Sequence, residues 1–540
     1  MVLGPVNPAS GQPLREADFE LTCPSGFGDG WNHYAHSMAW FRGRLYVGTA
    51  RGNLAALRIN QPVPDLRPWP IECPDKLDDI DRRAQIWEYT PETDTWVCVY
   101  RAPMMQARDG GMVPHFLSYR GMSVFRGESD AAPCLYVSTW SPLRLGPAEL
   151  LRSEDGRNFE IVPRPGWSPA VRSFRSLCAF DGRVHTSPIS SGVKPGQISD
   201  SLGSDPTIYT TADPRTGHWV KANDTGFGNP DNLTVFEMES FAGHLYAGIV
   251  NARSGSEIWK TRGGAPPYAW TKVLGNGAGR GALNEAAGSM CEFRGALYVG
   301  FGILNGGYHR AMRIGPAAAE LIRIWPDDSW DLIMGDARMT DQGLKYPLSG
   351  YGAGFDSLFN GYIWRMEVHE DWLYASTLSW AQLLPFLPMH LWPGDVQAMV
   401  RRWGIDYLTE NGGCELWRTH DGVCWEPVTR NGFGNKFNWG IRTLASTPQG
   451  LMVGTANPFG PRVAVRRNGR FCWHKFFRLA ILPGFFRVVK RQQHLAINGC
   501  FDHLVTVVVA DKKHIRSVLV EQRQPVCAGV FGAPGLQQAS

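Results

Sequence analysis

The chain has 540 residues, 43% of them hydrophobic, with 54 Lys and Arg against 50 Asp and Glu for a net charge of +4. That length and apolar content support a large core and exclude disorder over most of the chain. Residues 462–523 hold 13 Lys or Arg against 3 Asp or Glu, so the remainder is slightly acidic and its charge excludes it as a nucleic-acid surface.

The 21 Trp, 26 Phe, 61 Gly and 38 Pro indicate an all-β protein, because aromatics suit pleated surfaces while Gly and Pro punctuate turns. The 11 cysteines form no C-x-x-C pair and no zinc spacing, so neither a metal nor a cofactor is expected. The N-terminus MVLGPVNPASGQPLREADFE lacks a basic start and an apolar run, and no uninterrupted apolar stretch is long enough for a transmembrane segment. A cytoplasmic location with reduced thiols is the expectation.

In chain order, residues 1–18 read as an N-terminal extension, and 19–22 as a strand leading into PSGFGDGWN at 24–32. MAWFRGRLYVGT (38–49) then follows, and its skeleton returns six times: 122–139, 177–188, 238–249, 290–301, 366–377 and 444–455. Apolar, β-branched and aromatic residues flank a short Gly-bearing turn, such as Arg42-Gly43 or Ala242-Gly243, which is a β-hairpin pattern. A second hairpin phrase follows each copy: 85–99, 149–162, 207–222, 257–273, 320–333, 415–428 and 463–476. Two hairpins per repeat give four antiparallel strands. Seven such repeats predict a seven-bladed β-propeller over 19–470. Because 24–32 matches NGFGNKFN at 431–438, strand 19–22 is expected to close the last blade, pairing the N- and C-terminal segments, with its other strands drawn from 444–467. Residues 471–540 read as a basic C-terminal extension holding one hairpin about 510–514.

Two of the second phrases carry T-x-D-G-x-x-W (419–425) and S-x-D-G-x-x-F (153–159), and 92–99 reads ETDTWVCV. The first two resemble the Asp-box of sialidase-like propellers, with one residue fewer between Asp and Gly, and the third resembles a kelch strand. The resemblance implies propeller architecture over 19–470 and an Asp that caps backbone amides; it implies no catalytic role for that Asp.

The long insertions, 50–83, 102–120, 189–206, 335–359 and 378–413, all fall in links that share one face of such a fold, where binding is expected. Within 378–413, GDVQAMVRRWGIDYL reads as a short helix in a cap on the rim, or else a lid or docking surface. Six residues before each initial Met or Leu, Asn32, Asn232, Asn284, Asn360 and Asn438 recur and read as turn residues bonding nearby backbone. Two residues before it the register varies: His36, Arg120, Arg175, Phe236, Gly288, Trp364 and Arg442. Placed at the opening of the innermost strands, His36, Arg120, Arg175, Trp364 and Arg442 form the candidate ligand site, with three arginines suited to a carboxylate or phosphate. Sialidases likewise set three arginines on a carboxylate, although the Arg-Ile-Pro segment of that family is missing here. Glu237, Glu285, Tyr34 and Tyr362 are the nearest candidates for catalysis. His33, His36 and His115 are read as hydrogen-bonded histidines, with a metal site as the competing reading.

Two functions stay open on these residues. One is a non-enzymatic binding module for an anionic small molecule, glycan or protein segment on the elaborated face. The other is a sialidase-like glycoside hydrolase or lyase acting on a carboxylate-bearing substrate.

Overall fold

The computed structural model describes residues 1–5, 13–52, 59, 74, 76–142, 144–163, 171–190, 206–309, 312–410, 412–458, 463–467, 470–474, 507–511 and 514–518. The chain divides into two compact units, Met1–Phe476 and Phe477–Ser540. The fold is mostly antiparallel β, as the composition and alternation predict.

Four-stranded antiparallel meanders follow one another along the first unit. Sheet one pairs Asn32–Phe41, Arg44–Arg51, Gln85–Thr90 and Thr95–Arg101. Sheet two pairs Ser118–Phe125, Cys134–Trp140, Leu150–Ser153 and Glu160–Ile161. Sheet three pairs Val171–Phe180, Arg183–Ser190, Tyr209–Thr211 and Val220–Lys221. Sheet four uses Thr234–Phe241, His244–Val250, Glu257–Thr261 and Thr271–Leu274, and sheet five uses Ala286–Phe293, Ala296–Gly302, Leu321–Ile324 and Trp330–Met334. Sheet six consists of Asn360–His369, Trp372–Ser379, Leu416–Thr419 and Glu426–Thr429. The turn between strands one and two is short, and at Arg42-Gly43, Asp181-Gly182, Ala242-Gly243 and Arg294-Gly295 both residues have positive φ, the backbone whose twist matches a hairpin.

Sheet seven departs from the sequence-based expectation. Gly440–Thr447 and Gly450–Ala456 pair as predicted, and Phe19–Leu21 is the outermost strand. The strand between them is Val2–Pro5, with Val2 opposite Gly454 and Leu3 opposite Val453. Residues 463–467, expected in that place, pair instead with 470–474. Val2 and Leu3 are almost wholly buried, whereas VAVRRNGR offers arginines where a core strand needs apolar side chains. The ammonium of Met1 donates to Thr455 Oγ1 at 2.9 Å, and Thr455 N donates to the Met1 carbonyl at 2.9 Å. Part of the predicted extension 1–18 is therefore a strand of the main unit. In the second unit Val507–Asp511 pairs with His514–Val518, the hairpin expected about 510–514.

Neighbouring sheets join through their first two strands. Single pairings link Ala50 to Ser118, Trp140 to Ser173, Gly302 to Tyr362, Leu378 to Gly440 and Tyr34 to Ala456. Hydroxyls cross the same seams: Ser37 to the Tyr119 carbonyl at 2.8 Å, Ser289 to that of Ile363 at 2.9 Å, and Thr443 to that of Ala35 at 3.2 Å. The last of these runs from sheet seven to sheet one. The small residue in each LYVG-type phrase has a steric cause, since a Cβ on Gly248 would lie 2.8 Å from that of Ala287 in the next sheet. The Tyr of the phrase also reaches forward. Tyr298 donates to the Gly422 carbonyl at 3.2 Å, and Tyr46 presses on Gly156, so a side chain at either Gly would collide with it.

Those glycines belong to the Asp turns. Asp155 Oδ1 accepts from the amides of Arg157 and Asn158, both at 2.8 Å, and Asp421 Oδ1 from those of Val423 at 2.8 Å and Cys424 at 2.7 Å. The recurring Asn residues likewise bond backbone, as predicted: Asn32, Asn232, Asn284, Asn360 and Asn438 donate to the carbonyls of Gly26, Gly226, Gly277, Gly354 and Gly432 at 2.8–3.0 Å. Each clamps a Gly-Phe or Gly-Ala pair in left-handed conformation. Phe27 and Phe355 then stack on Trp87 and Trp417 at 4.5 and 4.2 Å between ring centroids, tying these links to the third strand.

If Val2–Pro5 is a core strand rather than an appendage, Leu3→Ala should cost about 2–5 kcal/mol. Chemical denaturation of the variant measures this, and a loss near zero would return residues 1–5 to the status of a tail.

Candidate functional site

The variable register marks an irregularity shared by the first strands. Strand pairing skips His36 between Ala35 and Ser37, Arg120 between Tyr119 and Gly121, Phe236 between Val235 and Glu237, Gly288 between Ala287 and Ser289, Trp364 between Ile363 and Arg365, and Arg442 between Ile441 and Thr443. In sheet three the skipped residues are Arg175 and Ser176. A β-bulge adds a residue without a partner and re-aims its side chain. The register therefore lies within the strands and not, as the sequence suggested, where they open.

All of the candidate residues, His36, Arg120, Arg175, Trp364 and Arg442, line one cavity of about 250 Å³. Phe236 and Gly288 line it too, followed one residue on by Glu237 and Arg365, and then by Cys178 and Glu239. His36, Arg120 and Arg175 are 5, 6 and 8% exposed. Arg120 donates to Ser173 Oγ at 3.0 Å and lies 5.1 Å from the Trp140 ring. Arg175 sits 3.0 Å over the Phe236 ring and Arg442 5.7 Å from that of Trp364. Among the described residues neither Arg175 nor Arg442 makes a hydrogen bond or a close ion pair, although Glu237 favours the charged form of both, and the Arg175 Nε is buried.

Crowding of like charge shows in the titration of these groups. Burial, then Arg120 and Arg442, hold the Arg175 guanidinium well below its ordinary range. Burial, Arg365 and Arg120 bring Arg442 down to about 9. His36 is held well below 6.5 by burial and then by Arg442, Arg120 and Arg175. It is therefore a neutral imidazole near pH 7, with Nδ1 bonded to Ser118 Oγ.

The next layer carries the opposite sign. Arg365 donates to Glu237 at 3.3 Å; burial opposes its charge, but Glu237, Glu367 and Glu239 raise its pKa on balance. Burial and then Glu237 push the Glu239 carboxyl up to about 7, and burial raises Glu367 as well. Glu239, Arg365 and Glu367 went unremarked in the sequence. Their signal lay in the aligned hairpin phrases, where a strand otherwise rich in apolar residues carries charge one residue either side of the repeating Met.

The other candidates lie elsewhere. Glu285 is buried off the cavity, 2.9 Å from His309 Nδ1, and accepts from the Leu304 amide at 3.0 Å. Tyr362 accepts from the Gly306 amide at 3.0 Å. His115 bonds Glu149 at 3.0 Å, and no group of three metal-type side chains forms among the described residues.

The 378–413 insertion supplies the wall around Trp364. Its helix Gly394–Trp403 is shorter than predicted, because Gly404 takes φ +78° and a second helix, Ile405–Glu410, follows. Trp380, Leu383, Leu384, Leu387, Trp392 and Val396 pack with Tyr34, Trp439 and Trp364 in one apolar cluster, so the segment packs on the sheets of its own unit. No helix among the described residues is long and apolar enough to cross a membrane.

No family model and no curated protein matches the chain. Among solved structures, a puromycin-hydrolysing peptidase of Mycobacterium tuberculosis aligns over 75% of this chain and 55% of its own, at 9% identity and TM-score 0.35. A Trypanosoma rangeli sialidase in complex with sialic acid aligns over 64% and 52%, at 10% and 0.32. An arabinoxylan arabinofuranohydrolase of glycoside hydrolase family 43 from Bacillus subtilis aligns over 64% and 76%, at 11% and 0.29. The chain spans about half the length of the first two.

Glu239 has a folded pKa of about 7 against an ordinary 4.5, so its ionisation opposes folding. It is neutral in both states at low pH, and stability is lost as pH rises from about 4.5 through 7. Glu239→Gln should therefore gain stability relative to wild type between pH 5 and pH 8, by on the order of 1–3 kcal/mol. Urea denaturation at the two pH values tests this, and a difference that does not change with pH would contradict the assignment.

Proposed function

We propose that the seven meanders are blades of a closed seven-bladed β-propeller whose central channel binds an anionic small molecule, or the anionic end of a glycan or protein segment. The repeating four-stranded order supports the blade count, and so does the packing of each first strand beside the next, with Gly440–Thr447 returning to Asn32–Phe41. The bonds from sheet seven to sheet one support closure.

One observation carries the binding reading. Arg175, 8% exposed and without a hydrogen-bonding partner among the described residues, faces a cavity it shares with Arg120 and Arg442. Buried guanidiniums that repel one another cost stability, and an anion accepting two or three charge-assisted bonds offsets that cost. The glycoside hydrolase or lyase reading rests on a separate observation: Glu237 and Glu239 line the same cavity, and a carboxyl held near pH 7 suits a general acid. Release of a chromophore from aryl glycosides of sugar acids, abolished in Glu239→Gln, would favour the enzyme over the binder.

Calorimetry with sugar acids, simple carboxylates and inorganic phosphate tests anion binding. Arg175→Ala should weaken it by about 2–5 kcal/mol while leaving the fold as stable or more so. Equal affinities in wild type and variant would remove the arginines from the site.

A further inference from the structure

The two layers of the channel differ in sign, and this narrows the ligand class. The bulge layer presents Arg120, Arg175 and Arg442 beside a neutral His36, with no carboxylate at that register. One to three residues past the bulge on the two strands that carry Phe236 and Trp364 there stand Glu237 and Glu239, which line the cavity, and Glu367 behind them, against the single cation Arg365. Arg365 bonds Glu237 at 3.3 Å. Glu239 accepts from the Ser240 amide at 3.1 Å and Glu367 from the Ser446 amide at 3.2 Å, which leaves each a second oxygen. Strand rise is about 3.3 Å per residue, so the layers are separated by roughly the length of a small organic molecule. A simple anion would satisfy the arginines and place nothing on the acids beneath them.

We propose that the channel ligand is a zwitterion, its carboxylate or phosphate held by Arg120, Arg175 and Arg442 and its ammonium group by Glu237 and Glu239. This rests on the anion-binding reading above and adds the second charge. The cavity of about 250 Å³ admits a small molecule of this kind. The acid layer also explains why four arginines are tolerated in one enclosed space, since each layer moderates the field of the other and a bridging zwitterion completes both.

A matched pair of probes separates the two claims. Heptanoate and 6-aminohexanoate share a carboxylate and differ in a terminal methyl against an ammonium group of similar size. Calorimetry at pH 8, where Glu239 is ionised, should find 6-aminohexanoate bound about tenfold or more tightly. Glu239→Gln, and independently Glu237→Gln, should shrink that preference and leave heptanoate affinity unchanged or improved. Equal binding of the two probes overturns the zwitterion while the anion site stands. A preference that survives both substitutions overturns it as well. Failure of both probes and of inorganic phosphate to bind removes the anion site, and the zwitterion with it.

Discussion

At one shared register each first strand has a bulge that its hairpin partner cannot pair residue for residue. The candidate site depends on this irregularity. A regular strand alternates its side chains between two faces, both of which here are taken up by packing against neighbouring sheets. The extra residue breaks the alternation and frees one side chain to point along neither face. His36, Arg120, Arg175, Trp364 and Arg442 become neighbours in space for this reason, although the first and last are hundreds of residues apart.

Such an arrangement requires a rigid surround, which the seams between sheets provide. A Gly or Ser in the second strand lets the next first strand approach closely, and a Cβ on Gly454 would lie 2.7 Å from that of Ala35. Tyr46 and Tyr298 reach into the Asp turns of the following sheets. The Asn clamps fix the links that lead into five of the bulged strands, and Phe on Trp stacks tie down two of these. These contacts account for most of the repeating residues, so repetition marks the scaffold. The candidate site falls at the positions where repetition fails.

The cavity confines charge that would be costly in an apolar interior. Arg175, Arg442 and His36 all titrate below their ordinary ranges, while Glu239 and Glu367 titrate above theirs, with burial the first cause in each case. All of these but Glu367 line one cavity, and perturbed groups gathered in a cleft mark a candidate site. The Pro-broken insertion around Trp380 and Trp392 packs behind Trp364 in an apolar cluster, and the apolar surroundings make each charge nearby count for more.

The sequence by itself determined the hairpins, their four-strand grouping, the turn roles of Asp155, Asp421 and the five Asn residues, and the register of the candidate site. All of these are local, because periodicity and turn chemistry act over a few residues. Tertiary structure decided what depends on distant partners. Val2–Pro5 fills sheet seven in place of 463–467, since burial between two strands selects apolar side chains whatever the order of the repeat. Glu285 belongs to His309 and lies off the cavity, while Glu239 and Arg365 join it. A bulge shifts which residues face the cavity, and only the pairing of both strands reveals where alternation is broken.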